Sequence, residues 1–355
     1  MQTKLVYVLT CAEEATYIEQ ALMSVWSARS HNEDAYIVLL VDDKTNELLV
    51  DKRSEILQYI REKIVIEFAD SSLSMMYRSR YIKTQVRELV DGNFLFIDSD
   101  TIINNTLVEI DNISFDVAAV PESNLPIERF HPMLYQPMCE NANKIGWKYE
   151  GEEYYFSSGV IYVKDTPDTH RLFKLWHKYW KEGLEKGISI DQPSLARANI
   201  ECGHIIQKID NKWNCIMFTY PRKAQSAYIL HYASYRNMSF LFTKRVLQYI
   251  KENGLTEYIK KYILDSTSSY IPFKSSFYHY NFSDFYKRYK LLVKGISDYS
   301  LNIDNSFIDY KRKNIVYKLL KNKFYRLATI TLLILSFKNV RLNKNYIYTE
   351  NICSK

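Results

Sequence analysis

Glycine is scarce in this chain, with 9 in 355 residues, and none lies in the N-terminal loop LTCAEEAT. A phosphate-cradling, glycine-rich loop of the kind a nucleotidyltransferase uses is therefore missing from the place where it would be expected, and Glu13-Glu14 put negative charge there instead. Cysteine is also sparse: Cys11, Cys139, Cys202, Cys215 and Cys353 are scattered and odd in number. No pair has zinc-ligand spacing and no disulfide framework is apparent, which points to a reducing compartment. No apolar stretch reaches the roughly 18 to 20 residues that span a bilayer. The start, Met-Gln-Thr-Lys, runs directly into a strand with no secretory leader, so a cytoplasmic location is expected. The net charge of +6 is modest and does not by itself indicate nucleic acid.

What is abundant is apolar and aromatic. Hydrophobic residues make up 47% of the chain, with 30 Tyr and 17 Phe, enough to bury a full core. LVYVLT at Leu5–Thr10 and YIVLLV at Tyr36–Val41 are short β-branched runs that predict buried strands, and a third strand is expected at Ile64–Phe68. Helices are predicted over Ala15–Ala28, Asn46–Arg61 and Ser74–Val90. Strands alternating with helices of this length imply an α/β fold with a mostly parallel sheet. Past Asp100 shorter pieces are expected: a strand at Val117–Pro121, another at Tyr154–Val163 interrupted at Ser157-Ser158-Gly159, an irregular segment at Pro126–Tyr149 and an amphipathic helix at Thr169–Trp180. From about Ser239 onward the pattern is helical, basic and rich in Tyr, which suggests a boundary between residues 1–238 and a helical C-terminal extension, 239–355.

The most informative stretch is FLFIDSDTII at Phe94–Ile103. An apolar run ends in Asp98 and Asp100 with Ser99 between them, and apolar residues then resume. Carboxylates in such a run are costly unless something positive neutralises them. In extended backbone, residues i and i+2 project to the same side, so the two carboxylates can converge on one hard cation, Mg²⁺ or Mn²⁺, with substrate phosphates completing its shell. Thr10, Asp42 and Asp98 all lie at strand carboxyl ends, where ligands bind in such sheets.

Together these pieces resemble the GT-A glycosyltransferases, specifically the retaining group known as glycosyltransferase family eight. The resemblance covers roughly residues 4–236 and rests on LTCAEEATYIEQALMSV, FLFIDSDTII, YYFSSGVIYV and DQPSLA in that order, with LHYASY as a weaker fifth. It implies a Rossmann-like mixed sheet flanked by helices and transfer of a hexose from a UDP-sugar to a saccharide or glycolipid acceptor. It implies that Asp98 and Asp100 hold Mn²⁺ or Mg²⁺, completed by His231. Thr10, Ala12 and Tyr17 match positions lining the nucleotide base, Asp42 or Asp43 a strand-end acid, and Arg80, with Arg78 as the competing choice, an arginine that contacts sugar and phosphate; Lys83 sits one helical turn from Arg80, facing the same side. Ser158, in a turn where Ser157 replaces the usual asparagine, and Ser99 would approach the donor. Asp191 and Gln192 match the pair beside the anomeric carbon, and are the catalytic candidates. The glycine and lysine expected after His231 are replaced by residues around Ser234, Tyr235 and Arg236.

Two other functions compete with transfer: a non-catalytic sugar-nucleotide or glycan binder on a decayed transferase fold, and the nucleotidyltransferase already weakened by the loop composition. Near the end, LATITLLILSF at Leu327–Phe337 is flanked by Lys321, Lys323, Arg326, Lys338 and Arg341. That pattern suggests either a buried helix or an interfacial anchor on an anionic membrane surface.

Overall fold

A computed structural model describes residues 1–122, 125–130, 132–146, 152–216, 226–232, 242 and 244–268. Leu327–Phe337 and Ser234–Arg236 lie outside the described residues. The first half alternates as its apolar runs dictate: β1 (Lys4–Leu9), α1 (Tyr17–His31), β2 (Ile37–Asp42), α2 (Asp43–Glu47), β3 (Glu62–Ile66), α3 (Met75–Thr84), α4 (Val86–Leu89) and β4 (Phe94–Ile97). There follow β5 (Thr101–Ile103), β6 (Val117–Pro121), α5 (Pro132–Lys144), β7 (Phe156–Val163), α6 (Pro167–Glu185), α7 (Gln192–Glu201), β8 (Ile206–Lys208), β9 (Cys215–Ile216) and β10 (Ile229–His231). Helices α8 (Lys244–Asn253) and α9 (Glu257–Ser268) close the described chain.

Seven strands form one sheet in the order β3-β2-β1-β4-β7-β6-β8. The four from β3 to β4 run parallel, whereas β7 runs antiparallel to both neighbours. The layout is a mixed α/β sheet flanked by helices. Its reversal at β7 decides where the site forms. The start of β7, at Ser157–Gly159, is brought to the rim where parallel β4 ends, and the Asp98 N–H donates to Gly159 O at 2.8 Å. A small second sheet, β5-β10-β9, sits past that rim, with β10 antiparallel to β5 so that His231 pairs with Thr101.

Both faces of the main sheet are covered, so β1, β2 and β4 are almost wholly apolar rather than alternating. One core packs α1 with Leu5, Tyr7, Leu39, Val41, Leu95 and Ile97, and it also takes Leu247 and Ile250 from α8, Leu255 from the link after it, and Ile259 and Ile263 from α9. The other packs α6, with Leu172, Phe173 and Trp176, beneath Val6, Phe94 and Phe96.

Four elements differ from their sequence-based expectation. Asn46–Arg61 is not one helix: α2 ends at Glu47 and a 3₁₀ turn covers Asp51–Gln58, because Asp51 enters the left-handed region at φ 48°. The helix expected at Ser74–Val90 breaks at Gln85 into α3 and α4; the Thr84 hydroxyl donates back to Arg80 O and Tyr81 O, a bond that bends helices at their ends. β7 runs through Ser157-Ser158-Gly159 without interruption, since all eight residues are buried between β4 and β6. The segment expected to be irregular after Pro126 holds helix α5, whose Met138, Ala142 and Ile145 bury against Ile127 and Tyr155.

Candidate active site

Asp98 and Asp100 occupy the turn between β4 and β5, and the β5–β10 pairing lays His231 beside them. Tyr232 N–H donates to Asp100 O at 3.0 Å, which locks the end of β10 onto this turn. One ligand atom from each of Asp98, Asp100 and His231 lies within 4.8 Å of the others. Two carboxylates and an imidazole suit Mn²⁺ or Mg²⁺. A Cβ placed on Gly159 would lie 2.4 Å from His231 Cε1 and 3.0 Å from Asp98 Oδ2, so only glycine leaves room for both side chains.

His231 Nε2 faces Asp100 Oδ1 at 3.3 Å and its Nδ1 faces Asn214 Oδ1 at 2.8 Å. Asn214 Nδ2 donates to Ser157 Oγ at 3.2 Å, which orients the amide so that its oxygen is presented to the ring. The proton is thus assigned to Nδ1, and Nε2 is the nitrogen left for the cluster. Burial works against a charge on His231, but Asp100, joined by Asp98 and Glu122, outweighs it and raises the imidazole above its ordinary value. Burial, reinforced by Asp100, likewise lifts Asp98 despite Lys83.

On the other side lies a second acid. Asp191 caps the start of α7, is 4% exposed, and is held by its own carbonyl accepting from Trp176 Nε1 at 2.9 Å. Arg80 Nε stands 2.8 Å from its Oδ1, and Lys83 Nζ 3.4 Å from its Oδ2. Burial alone would raise this carboxyl; Lys83 and Arg80, helped by the Ser158 hydroxyl, bring it down to about 2. Gln192 follows, its amide nitrogen donating to Glu122 Oε2 and to Phe156 O, each at 2.9 Å. Both amide protons are spent inside the protein, so the amide is fixed and its carbonyl is the opposite end.

The remaining expected residues line the rim near the β1 end. Thr10 is buried with its hydroxyl donating to Met75 O at 3.2 Å, Ala12 is exposed, and Tyr17 is half-buried. Ser99 is half-buried between the two aspartates. Asp42 turns inward instead: it is fully buried, accepts from Thr45 N–H at 3.0 Å, and pairs with Arg78 Nε. Its neighbour Asp43 is half-buried with an Oδ1 that has no hydrogen-bond partner. Arg53 clamps the β1–α1 loop, donating to Glu19 Oε1 at 2.7 Å, to Ala15 O at 2.6 Å and to Glu13 O at 3.3 Å.

Asn214 and Arg53 were not among the candidates read from the sequence. Asn214 lies in a 3₁₀ turn far from His231 in the chain, and no spacing rule links them. Replacing it with leucine removes the acceptor that orients the imidazole. Asn214→Leu is expected to weaken Mn²⁺ binding by about 10- to 100-fold, while Asn214→Asp, which keeps an acceptor, retains most of it. Titration calorimetry of the nucleotide-free protein reads both.

No curated protein sequence matches the chain significantly. The galactosyltransferase LgtC, crystallised with donor and acceptor sugar analogues, is 14% identical over 65% of this chain and 87% of its own, with a TM-score of 0.45. GlyE of Streptococcus pneumoniae TIGR4, a glycosyltransferase, is 19% identical over 74% of this chain and 62% of its own, at a TM-score of 0.45. Mouse xyloside xylosyltransferase 1 is 13% identical over 66% of this chain and 99% of its own, at 0.42. The sequence profile described as glycosyl transferase family 8 matches residues 8–236, which span the main sheet, both aspartates of the turn, Asp191 and His231. On that match the chain belongs to glycosyl transferase family 8 and is a glycosyltransferase.

Proposed function

We propose that this enzyme transfers a hexose from a UDP-sugar to a hydroxyl of a saccharide or glycolipid, with retention of the anomeric configuration and with help from Mn²⁺ or Mg²⁺. The observation that carries this is the convergence of Asp98, Asp100 and His231 within 4.8 Å on the same rim as Asp191. These three residues would hold the cation. When bound, it supplies positive charge to the diphosphate leaving group.

The chain's own groups do the rest. Asp191, held ionised by Arg80 and Lys83, is a weak base and a weak nucleophile, since a carboxylate at about 2 gains little by accepting a proton or a bond. Its role is instead to set a fixed negative charge near the sugar, where an oxocarbenium-like centre develops. The Gln192 carbonyl, aimed by Glu122 and Phe156 O, supports the same charge. The acceptor hydroxyl would then attack from the face the diphosphate leaves, with a phosphate oxygen taking its proton. The basic flanks of Leu327–Phe337 support a membrane-borne acceptor such as a lipopolysaccharide or capsule precursor. Among the described residues, no helix is long and apolar enough to cross a membrane.

A screen of nucleotide sugars for Mn²⁺-dependent release of nucleoside diphosphate tests the proposal. One UDP-hexose turned over, and silenced by a chelator, is the expected result; binding of every donor without release would overturn it. A pH dependence follows from His231. Because its value is raised, lowering the pH through that value protonates the Nε2 that a cation needs. Mn²⁺ affinity should therefore fall by about tenfold per pH unit below it and level off above, as calorimetry across the neutral range would read.

A further inference from the structure

Lys83 reaches Asp98 as well as Asp191. It lies on α3 one turn after Arg80 and is 3% exposed, in a position where a lysine is rarely found unless paired. Its Nζ stands 3.1 and 3.3 Å from the two Asp98 oxygens, 3.4 Å from Asp191 Oδ2 and 3.4 Å from Ser158 Oγ. It also lies 5.0 Å from the centre of the Phe96 ring. Its protons go to Asp98 and to Ser158 Oγ, and Asp191 Oδ2, which has no hydrogen-bond partner, lies within ion-pair distance. It is thereby kept from serving as a free arm for the diphosphate.

We infer that Lys83 is an internal counter-cation and positioning residue, tying Asp98 to Asp191 in the metal-free protein and competing with the divalent cation for Asp98. The inference rests on the metal site proposed above and assigns to Lys83 a function that site does not require. Two physical consequences have opposite signs. Without Lys83, the carboxylates of Asp98, Asp100 and Asp191 are left to Arg80 and His231, and breaking a buried ion pair from one side is destabilising. Yet an ammonium bound to a ligand carboxylate both occupies its lone pairs and repels a divalent cation arriving at the same group. Removing it should leave a less stable protein that binds the cation more tightly.

Lys83→Met, which keeps the length of the side chain and drops the charge, separates the possibilities. In the full chain without nucleotide, the melting temperature should fall, Mn²⁺ should bind about tenfold more tightly or better, and the Mn²⁺-induced rise in melting temperature should exceed that of the wild type. Transfer should fall as well, because Asp191 loses one of its two cations. A lysine that served packing alone would lower stability with Mn²⁺ affinity unchanged or weaker. A lysine that gripped the diphosphate would leave nucleotide-free Mn²⁺ binding unchanged and raise the donor KM. Lys83→Gln should repeat the tighter binding if Lys83→Met does not fold. Mn²⁺ binding no tighter in either variant, or a misfolded pair that Mn²⁺ does not recover, overturns the inference. Wild type that takes up no Mn²⁺, with Asp100→Asn behaving identically, would instead overturn the metal site and this inference with it.

Discussion

Gly159→Ala should leave the sheet standing and disable the site. The methyl group would arrive 2.4 Å from His231 Cε1, 3.1 Å from His231 Nδ1 and 3.0 Å from Asp98 Oδ2, and something must shift. The strand resists moving on its β4 side, where Gly159 O accepts the Asp98 N–H at 2.8 Å. His231 has little room to yield, being 5% exposed and tethered at Nδ1 by Asn214. The ring must therefore tilt away from Asp100, taking Nε2 out of the cluster. Overpacking of this size costs about 1 to 3 kcal/mol, which a domain this large survives. The displaced ligand should weaken Mn²⁺ binding and slow transfer by about 100-fold or more. Calorimetry and a transfer assay, read beside the melting curve, check this. Mn²⁺ affinity equal to wild type in a folded Gly159→Ala protein would show that His231 is not a ligand.

The same glycine shows what could be read from the chain and what could not. The βα alternation of the first half and the two aspartates at the end of β4 were legible because strand periodicity and a charge inside an apolar run are local signals. An interruption at Ser157-Ser158-Gly159 was expected from the local signal of a glycine after two serines. The strand runs straight on because the need for glycine comes from side chains on two other elements, His231 and Asp98. Asp42 was a reasonable rim candidate by position, but a buried helix cap and Arg78 claim its carboxylate. Asn214 carried no signal at all, since its meaning depends on β9 and β10 lying side by side. Lys83 was legible as a cation one turn from Arg80; that it faces two carboxylates rather than open rim depends on β7 and α7 closing over it.

Asp100→Asn should abolish metal-dependent transfer, by about a thousandfold or more, with the fold intact. The substitution keeps the shape of the side chain and an oxygen for His231 Nε2 to face, so little packing is lost. What disappears is the charge. Asp98 lies against Lys83 and Asp100 against His231. On the proposed mechanism several kcal/mol of leaving-group stabilisation would depend on a cation held at this point, and each 1.4 kcal/mol is about tenfold in rate. The variant carries an internal check as well. Asp100 is the leading cause of the raised His231 value, set against a burial that lowers it. With the charge gone, burial should prevail and the imidazole should titrate at lower pH than in the wild type, visible in its ring proton resonances. Loss of transfer together with that downward shift would place Asp100 at the imidazole and at the cation alike. Full Mn²⁺-dependent activity in Asp100→Asn would remove the Asp98–Asp100–His231 cluster from the mechanism.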